Sequence, residues 1–167
     1  EAEYAGCASG ASYVGLADGE HTFAVRATDA AGNADGSPAS YSWTVDTVEP
    51  QTTITDGPPE LTSSAAATLT FASSDTGSTF ACSLDGEVLS PCTSPVSYAG
   101  LGDGEHTFAA RATDAAGNAD SSPATRTWTV DTSAPETAIT AAPPTLTGSA
   151  AASFELGSTT EGATFAC

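Results

Sequence analysis

Apolar and polar residues alternate along most of this chain, and no segment carries the three-to-four spacing of an amphipathic helix. Alternation is the pattern of a half-buried strand, because successive side chains point to opposite faces. Ala67, Leu69 and Phe71 alternate with Thr68 and Thr70 and predict one strand. Phe80, Cys82 and Leu84 alternate with Ala81 and Ser83 and predict another, turning at Asp85-Gly86. Gln51–Thr55 is a first short strand ended by Pro58-Pro59, Glu87–Cys92 a return strand, and Pro95–Leu101 a fifth segment. His106–Asp114 sets Phe108, Ala110 and Ala112 on one face and Thr107, Arg111 and Thr113 on the other. Thr125–Val130 turns Trp128 and Val130 inward. Seven short strands divided by Gly, Pro and Asp turns predict an all-β fold, an antiparallel β-sandwich. Its inner faces are rich in alanine, so the expected core is thin and rests on four anchors: Phe71, Phe80, Phe108 and Trp128.

The same pattern recurs with a period of 85 residues: Cys7 returns as Cys92, and Cys82 as Cys167. Residues 15–47 and 100–132 differ at only six positions: 17, 25, 36, 40, 41 and 42 and their counterparts. Self-similarity of this kind marks a tandem array. Three units are expected: residues 1–47 as the C-terminal half of one repeat, 48–132 as a complete repeat, and 133–167 as the N-terminal half of the next. Near-copies supply length, spacing or multivalency more readily than one bespoke pocket. Pro50 and Pro135 follow the Asp-Thr pairs at 46–47 and 131–132 and predict short, stiff linkers, which suit a rod.

Charge narrows the partners. The net charge is −18, with no lysine and only Arg26, Arg111 and Arg126. Nucleic acid and anionic lipid both demand clustered Lys and Arg, so neither is an expected partner. Strong acidity keeps a long array soluble and is compatible with divalent cations. No apolar run reaches the length of a membrane span, so direct membrane insertion is not expected in this segment.

Several motifs resemble a bacterial immunoglobulin-like (fibronectin III-like) repeat of large secreted or surface proteins. They are Phe80-Ala81-Cys82-Ser83-Leu84-Asp85-Gly86, Pro91-Cys92-Thr93-Ser94-Pro95, Gly104-Glu105-His106-Thr107-Phe108, Ala112–Asn118 and Trp128–Thr132. The resemblance covers nearly the whole chain. It implies tandem Ig-like sandwiches, a disulfide within each repeat, and a place in stalks, adhesins or surface fibres. It carries no catalytic residues.

Cys82 and Cys92 face each other across a predicted hairpin, and a bridge there is expected to stabilise by about 2–3 kcal/mol. Two cysteines per repeat point to an oxidising, extracellular or cell-surface setting. Cys7 and Cys167 lack partners within their own half-repeats and are expected to pair with neighbouring units. Those neighbours are either further repeats of one long chain or separate copies that complete each other by strand exchange. Asp114, Asn118 and Asp120, with Asp131 and Glu136 at the junction, bring oxygen ligands together and are calcium candidates. Asp29–Asp35 mirrors this turn. The competing and favoured reading is an Asp/Asn/Gly turn whose carboxylates cap local amides. His21 and His106 are expected to pack at a sandwich corner. Arg111 is expected on a strand face, stacked on a ring or paired with a carboxylate.

No nucleophile–base pair, phosphate loop or paired His ligands recur in both copies, so an enzyme is not expected. The expected role is a structural repeat of an extracellular filament or stalk, whose partners are neighbouring copies of the repeat. The alternative is an adhesin module that binds a glycan or a host or surface protein through its loops.

Overall fold

The computed structural model describes residues 4–167; Glu1–Glu3 of the first expected unit lie outside them. Among the described residues there are strands and no helix. The stretch between Thr52 and Val130 builds two sheets. One consists of β3 (Thr52–Asp56), β5 (Ala66–Ser73) and β8 (Val96–Ala99), antiparallel, in the order β3-β5-β8. The other contains β4 (Leu61–Thr62), β6 (Thr79–Leu84), β7 (Ser90–Cys92), β9 (Gly104–Thr113) and β10 (Ala124–Val130) in the order β4-β10-β9-β6-β7. All its pairs are antiparallel except the two-residue β4, which runs parallel to β10.

One core lies between the sheets. Ala67, Leu69 and Phe71 from β5 meet Cys82, Phe108, Ala110, Trp128 and Val130 from the other sheet. Each contributes from alternate positions, as the sequence pattern requires. Phe71 and Phe108 pack with ring centroids 5.7 Å apart. Phe80 is a correction: it is half-buried at the rim, edge-on to Phe71 at 5.0 Å, whereas the other three anchors are buried. It packs against the core from the strand next to the sheet's edge strand β7.

One strand boundary and one added strand also differ from expectation. The return strand begins at Ser90, because residues 85–89 are spent on the turn. Asp85 and Gly86 both adopt positive φ (51° and 78°), and Glu87 N–H closes the turn onto the Leu84 carbonyl at 3.0 Å. β4 was not foreseen, since two residues behind a proline pair show no periodicity.

Two smaller pairs flank this body. β1 (Gly19–Val25) pairs with β2 (Ala39–Val45) from Gly19↔Val45 to Val25↔Ala39. β9 and β10 pair from Gly104↔Val130 to Ala110↔Ala124, the same register shifted by 85 positions. β11 (Thr137–Ala141) and β12 (Glu155–Ser158) reproduce the register of β3 and β5, including the irregularity between Ile139 and Ala141 that matches Ile54 and Asp56.

Candidate functional site

The segment joining the first two parts is held from both sides, and the one joining the last two is held by the body before it. In the first, Asp18 accepts hydrogen bonds from Thr47 N–H (3.0 Å) and Thr47 Oγ1 (2.8 Å). From the following body, Asn118 Nδ2 donates to the Asp46 carbonyl at 3.0 Å, and Glu49 accepts from Ser121 N–H (3.0 Å) and Oγ (2.8 Å). Pro50 is fully buried there. In the second, Asp103 accepts from Thr132 N–H (2.9 Å), Thr132 Oγ1 (2.7 Å) and Ser133 Oγ (3.0 Å). Those bonds, from Thr132 Oγ1 first, lower the Asp103 carboxyl below its ordinary value, against a small opposing effect of burial.

The first segment enters beside the β9–β10 loop, and the second leaves beside Asp103, which precedes β9. Both loops adjoin β9, one at each end, so the body is gripped at opposite ends.

The Asp114 turn is a closed local motif. Its carboxylate accepts from Gly117 N–H, Asn118 N–H and Asn118 Nδ2 at 2.7–2.8 Å. The Asn118 side chain leads in lowering its pKa, burial opposing. Asp29 is held likewise by Ala31, Asn33 N–H and Asn33 Nδ2. Asp120 is buried and does different work: it accepts from Thr52 N–H at 2.7 Å and from Ser122 N–H at 2.8 Å. Thr52 Oγ1 in turn accepts from Ala112 N–H at 2.8 Å, so a polar bridge joins the two sheets. Burial would raise the Asp120 pKa, but these hydrogen bonds outweigh it and lower it. Asp131 caps Ser133 N–H. Of the calcium candidates, Asp114 and Asn118 bond each other, while Asp120 and Asp131 accept from other amides. Among the described residues no group of three or more His, Cys, Asp or Glu is placed to hold a metal ion.

His106 stacks on Trp128 at 5.7 Å, its Nδ1 is 2.8 Å from Asp85 Oδ2, and its Nε2 donates to the Gly102 carbonyl at 2.9 Å. Both partners only accept, so the arrangement favours the imidazolium, which has a proton on each nitrogen. The Gly102 carbonyl, then Asp85, raises the His106 pKa, burial opposing. Burial would raise that of Asp85, but hydrogen bonds from His106 and Thr107 win and lower it. His21 keeps the stack on Trp43 (5.6 Å) and a bond to the Ala17 carbonyl (2.7 Å).

Cys82 and Cys92 form a disulfide between β6 and β7; Cys7 and Cys167 are free and exposed. Arg111 is a correction: among the described residues it has neither a carboxylate partner nor a stacked ring, and its Nε is buried without an acceptor. Its counterpart Arg26 does lie over a ring, that of Tyr4, at 4.6 Å. The counterpart of Tyr4 is Leu89, so the ring is missing where Arg111 needs it.

A groove of about 700 Å³ opens on the β1–β2 face, lined by Tyr13, Phe23, Val25, Tyr41 and Trp43 beside Cys7. Among the described residues, no helix is long and apolar enough to cross a membrane. No protein-family model matches the chain, and no curated protein matches it. Sequence reasoning passed over Asp18, Asp103, Ser121 and the role of Asn118. The available signal was the recurrence of both Asp18 with Thr47 and Asp103 with Thr132, each pair 29 residues apart.

Proposed function

We propose that this chain is a stretch of a tandem array of immunoglobulin-like sandwiches that serves outside the cell as a mechanical element, a filament or stalk. The reading divides the chain at 47–48 and 132–133 into a half, a whole and a half repeat. The observation that carries it is the linker gripped from both sides: Asp18 holds Thr47 while Asn118 and Ser121 hold Asp46 and Glu49. A linker bonded to both neighbours transmits force and limits bending, whereas a free one gives beads on a string.

The strand orders support the immunoglobulin-like part. β3-β5-β8 corresponds to A-B-E, and β4-β10-β9-β6-β7 to A′-G-F-C-C′ of such a sandwich. The bridge then ties C to C′ at a sheet edge, unlike the inter-sheet bridge of antibody domains. A structural disulfide supports the oxidising compartment. The role is non-catalytic, and the partners are neighbouring copies of the repeat.

The adhesin reading would take the aromatic groove beside Cys7 as a ligand cleft. Yet Tyr13, Phe23 and Trp43 correspond to Tyr98, Phe108 and Trp128, which belong to or pack on the core of the complete repeat. The groove is better read as an uncovered core face.

The test is small-angle scattering on chains that continue the 85-residue period for two, four and six repeats. A rod adds a constant length per repeat. Dimensions growing only as the square root of repeat number would overturn the reading.

A further inference from the structure

Five aspartates of this chain are followed directly by glycine: Asp18, Asp35, Asp56, Asp85 and Asp103. An Asp-Gly bond is open to attack by its own backbone, because glycine has no side chain to hold its amide nitrogen away from the aspartate Cγ. Where each carboxylate points therefore decides which of the five can react. Asp18 Oδ1 is taken by Thr47 N–H and Oγ1, and Asp35 Oδ1 by Ser37 N–H and Oγ. Asp85 holds Thr107 N–H with one oxygen and His106 with the other. Asp103 holds Thr132 with one oxygen and Ser133 with the other. Each of these four is engaged by a donor beyond its own glycine.

Asp56 differs. Its Oδ1 accepts from Gly57 N–H, the amide of the very next residue, at 2.9 Å. A carboxylate bonded to that amide brings Cγ within reach of the nitrogen, which is the approach a ring-closing attack needs. The backbone explains the difference. β3 carries a bulge: Ile54 pairs with Phe71 and Asp56 with Thr70, so Thr55 is the extra residue, and its Oγ1 donates to the Thr70 carbonyl. Asp56 is left exposed at the end of the strand, just ahead of the proline pair. In the last part the irregularity recurs, but the residues there are Ala141 and Ala142, so that position has no carboxyl group to react.

We propose that Asp56-Gly57 is a self-modifying site, converted in the folded chain to isoaspartate through a cyclic imide. Gly57 N forms a bond to Cγ of Asp56 in its carboxylic acid form, and the amide proton and the carboxyl hydroxyl leave together as water. Water then adds to the imide. Opening at Cγ restores aspartate; opening at the Asp56 main-chain carbonyl gives isoaspartate, whose backbone runs through Cβ and Cγ. The mass returns to its starting value, and no oxidant, metal or enzyme enters. The site goes beyond the array reading and does not depend on it. The lengthened main chain has little room. A Cβ added at Gly57 would already lie 2.9 Å from Leu69 Cδ1 and 3.6 Å from Arg126 Cγ. Pro58 is buried, and its carbonyl accepts from Arg126 Nη2. Extra length just before Pro58 displaces that carbonyl and, with it, β4. The hold of β4 on β10 rests on Thr129 N–H to the Glu60 carbonyl (2.8 Å) and Asp131 N–H to the Thr62 carbonyl (2.9 Å). Modification therefore loosens this edge of the five-stranded sheet.

The test is prolonged incubation of the 167-residue chain in heavy-oxygen water, folded and in denaturant. Peptide mapping with electron-transfer fragmentation then separates isoaspartate from aspartate. Ring opening by solvent leaves a heavy oxygen atom at each reacted site, so turnover is counted even where aspartate is restored. In the folded chain Asp56 is expected to react roughly tenfold faster than Asp85 and Asp103, which lie in the same body. In denaturant that advantage should vanish. Asp56→Glu, which would have to close a six-membered ring, is expected to stay unmodified there. Amide exchange at Thr129 and Asp131 is expected to quicken in the aged native chain and not in aged Asp56→Glu. Reaction in the folded chain led by another Asp-Gly pair, equal rates at all five, or no reaction at Asp56 while the denatured chain reacts there would each overturn the site. Fast turnover at Asp56 with unchanged exchange would overturn the loosening of β4.

Discussion

Asn118 ties its own turn to the linker 72 residues earlier: one Nδ2 hydrogen goes to Asp114 Oδ2 at 2.8 Å and the other to the Asp46 carbonyl at 3.0 Å. Both donors of the amide are used, so the side chain fixes the turn and the entry of the chain at once. Asn33, its counterpart, makes only the bond to Asp29 among the described residues. Asn118→Ala is expected to loosen the junction and leave the fold of residues 48–132 in place. Scattering on the chain should show a larger spread of end-to-end distances, and Asn33→Ala should not. Equal effects from both would remove the junction role.

Asp120 is the buried carboxylate that joins the sheets. Asp120→Ala leaves the Thr52 and Ser122 amides without their acceptor in a part-buried site, at a cost of about 1–3 kcal/mol. Asp35→Ala removes only an exposed cap on Ser37 and is expected to cost far less. Denaturant midpoints of the two variants check this; equal losses would mean that the cost is local to the turn.

The His106–Asp85 pair gives stability a pH dependence of known sign. The His106 pKa is raised above 6.5 in the fold. Its contribution is therefore fully present below pH 6.5 and lost as pH rises through the raised folded-state value. The stability gap between the native chain and His106→Gln should narrow over that range, and Asp85→Asn should flatten the dependence. A gap that widens with pH contradicts the doubly donating imidazolium.

Asp103 titrates in the opposite sense. Its carboxyl lies below 3.8, so its hold on Thr132 is present above that value and lost as pH falls through the lowered one. The Thr132 amide resonance, followed by NMR, should shift with a midpoint under pH 3.8. A midpoint at or above that value would mean that the bond is not maintained in solution.

Trp128 is the largest fully buried side chain, yet its indole N–H has no acceptor. Trp128→Ala should cost about 3–5 kcal/mol through lost packing. Trp128→Phe should cost clearly less than half of that, because it also relieves an unpaired donor. Chemical denaturation separates the two.

Sequence by itself determined the long core strands, because a period of two is written in the residues: Ala67-Leu69-Phe71 and Phe108-Ala110-Ala112 are legible without coordinates. It also determined the 85-residue period, the acidic charge and the Cys82–Cys92 pairing, all of which are properties of order and spacing along the chain. Tertiary structure alone decided which carboxylate meets which amide. Asp114 and Asp120 sit six residues apart in one turn, yet one closes the turn on itself and the other reaches across to Thr52. It alone decided that Asp103 grips Thr132, 29 residues away, and that Phe80 stays at the rim. Alternation records which face a side chain takes within its own strand. Contacts between distant segments depend on which strands pair and how the sheets stack, and a local pattern does not encode either.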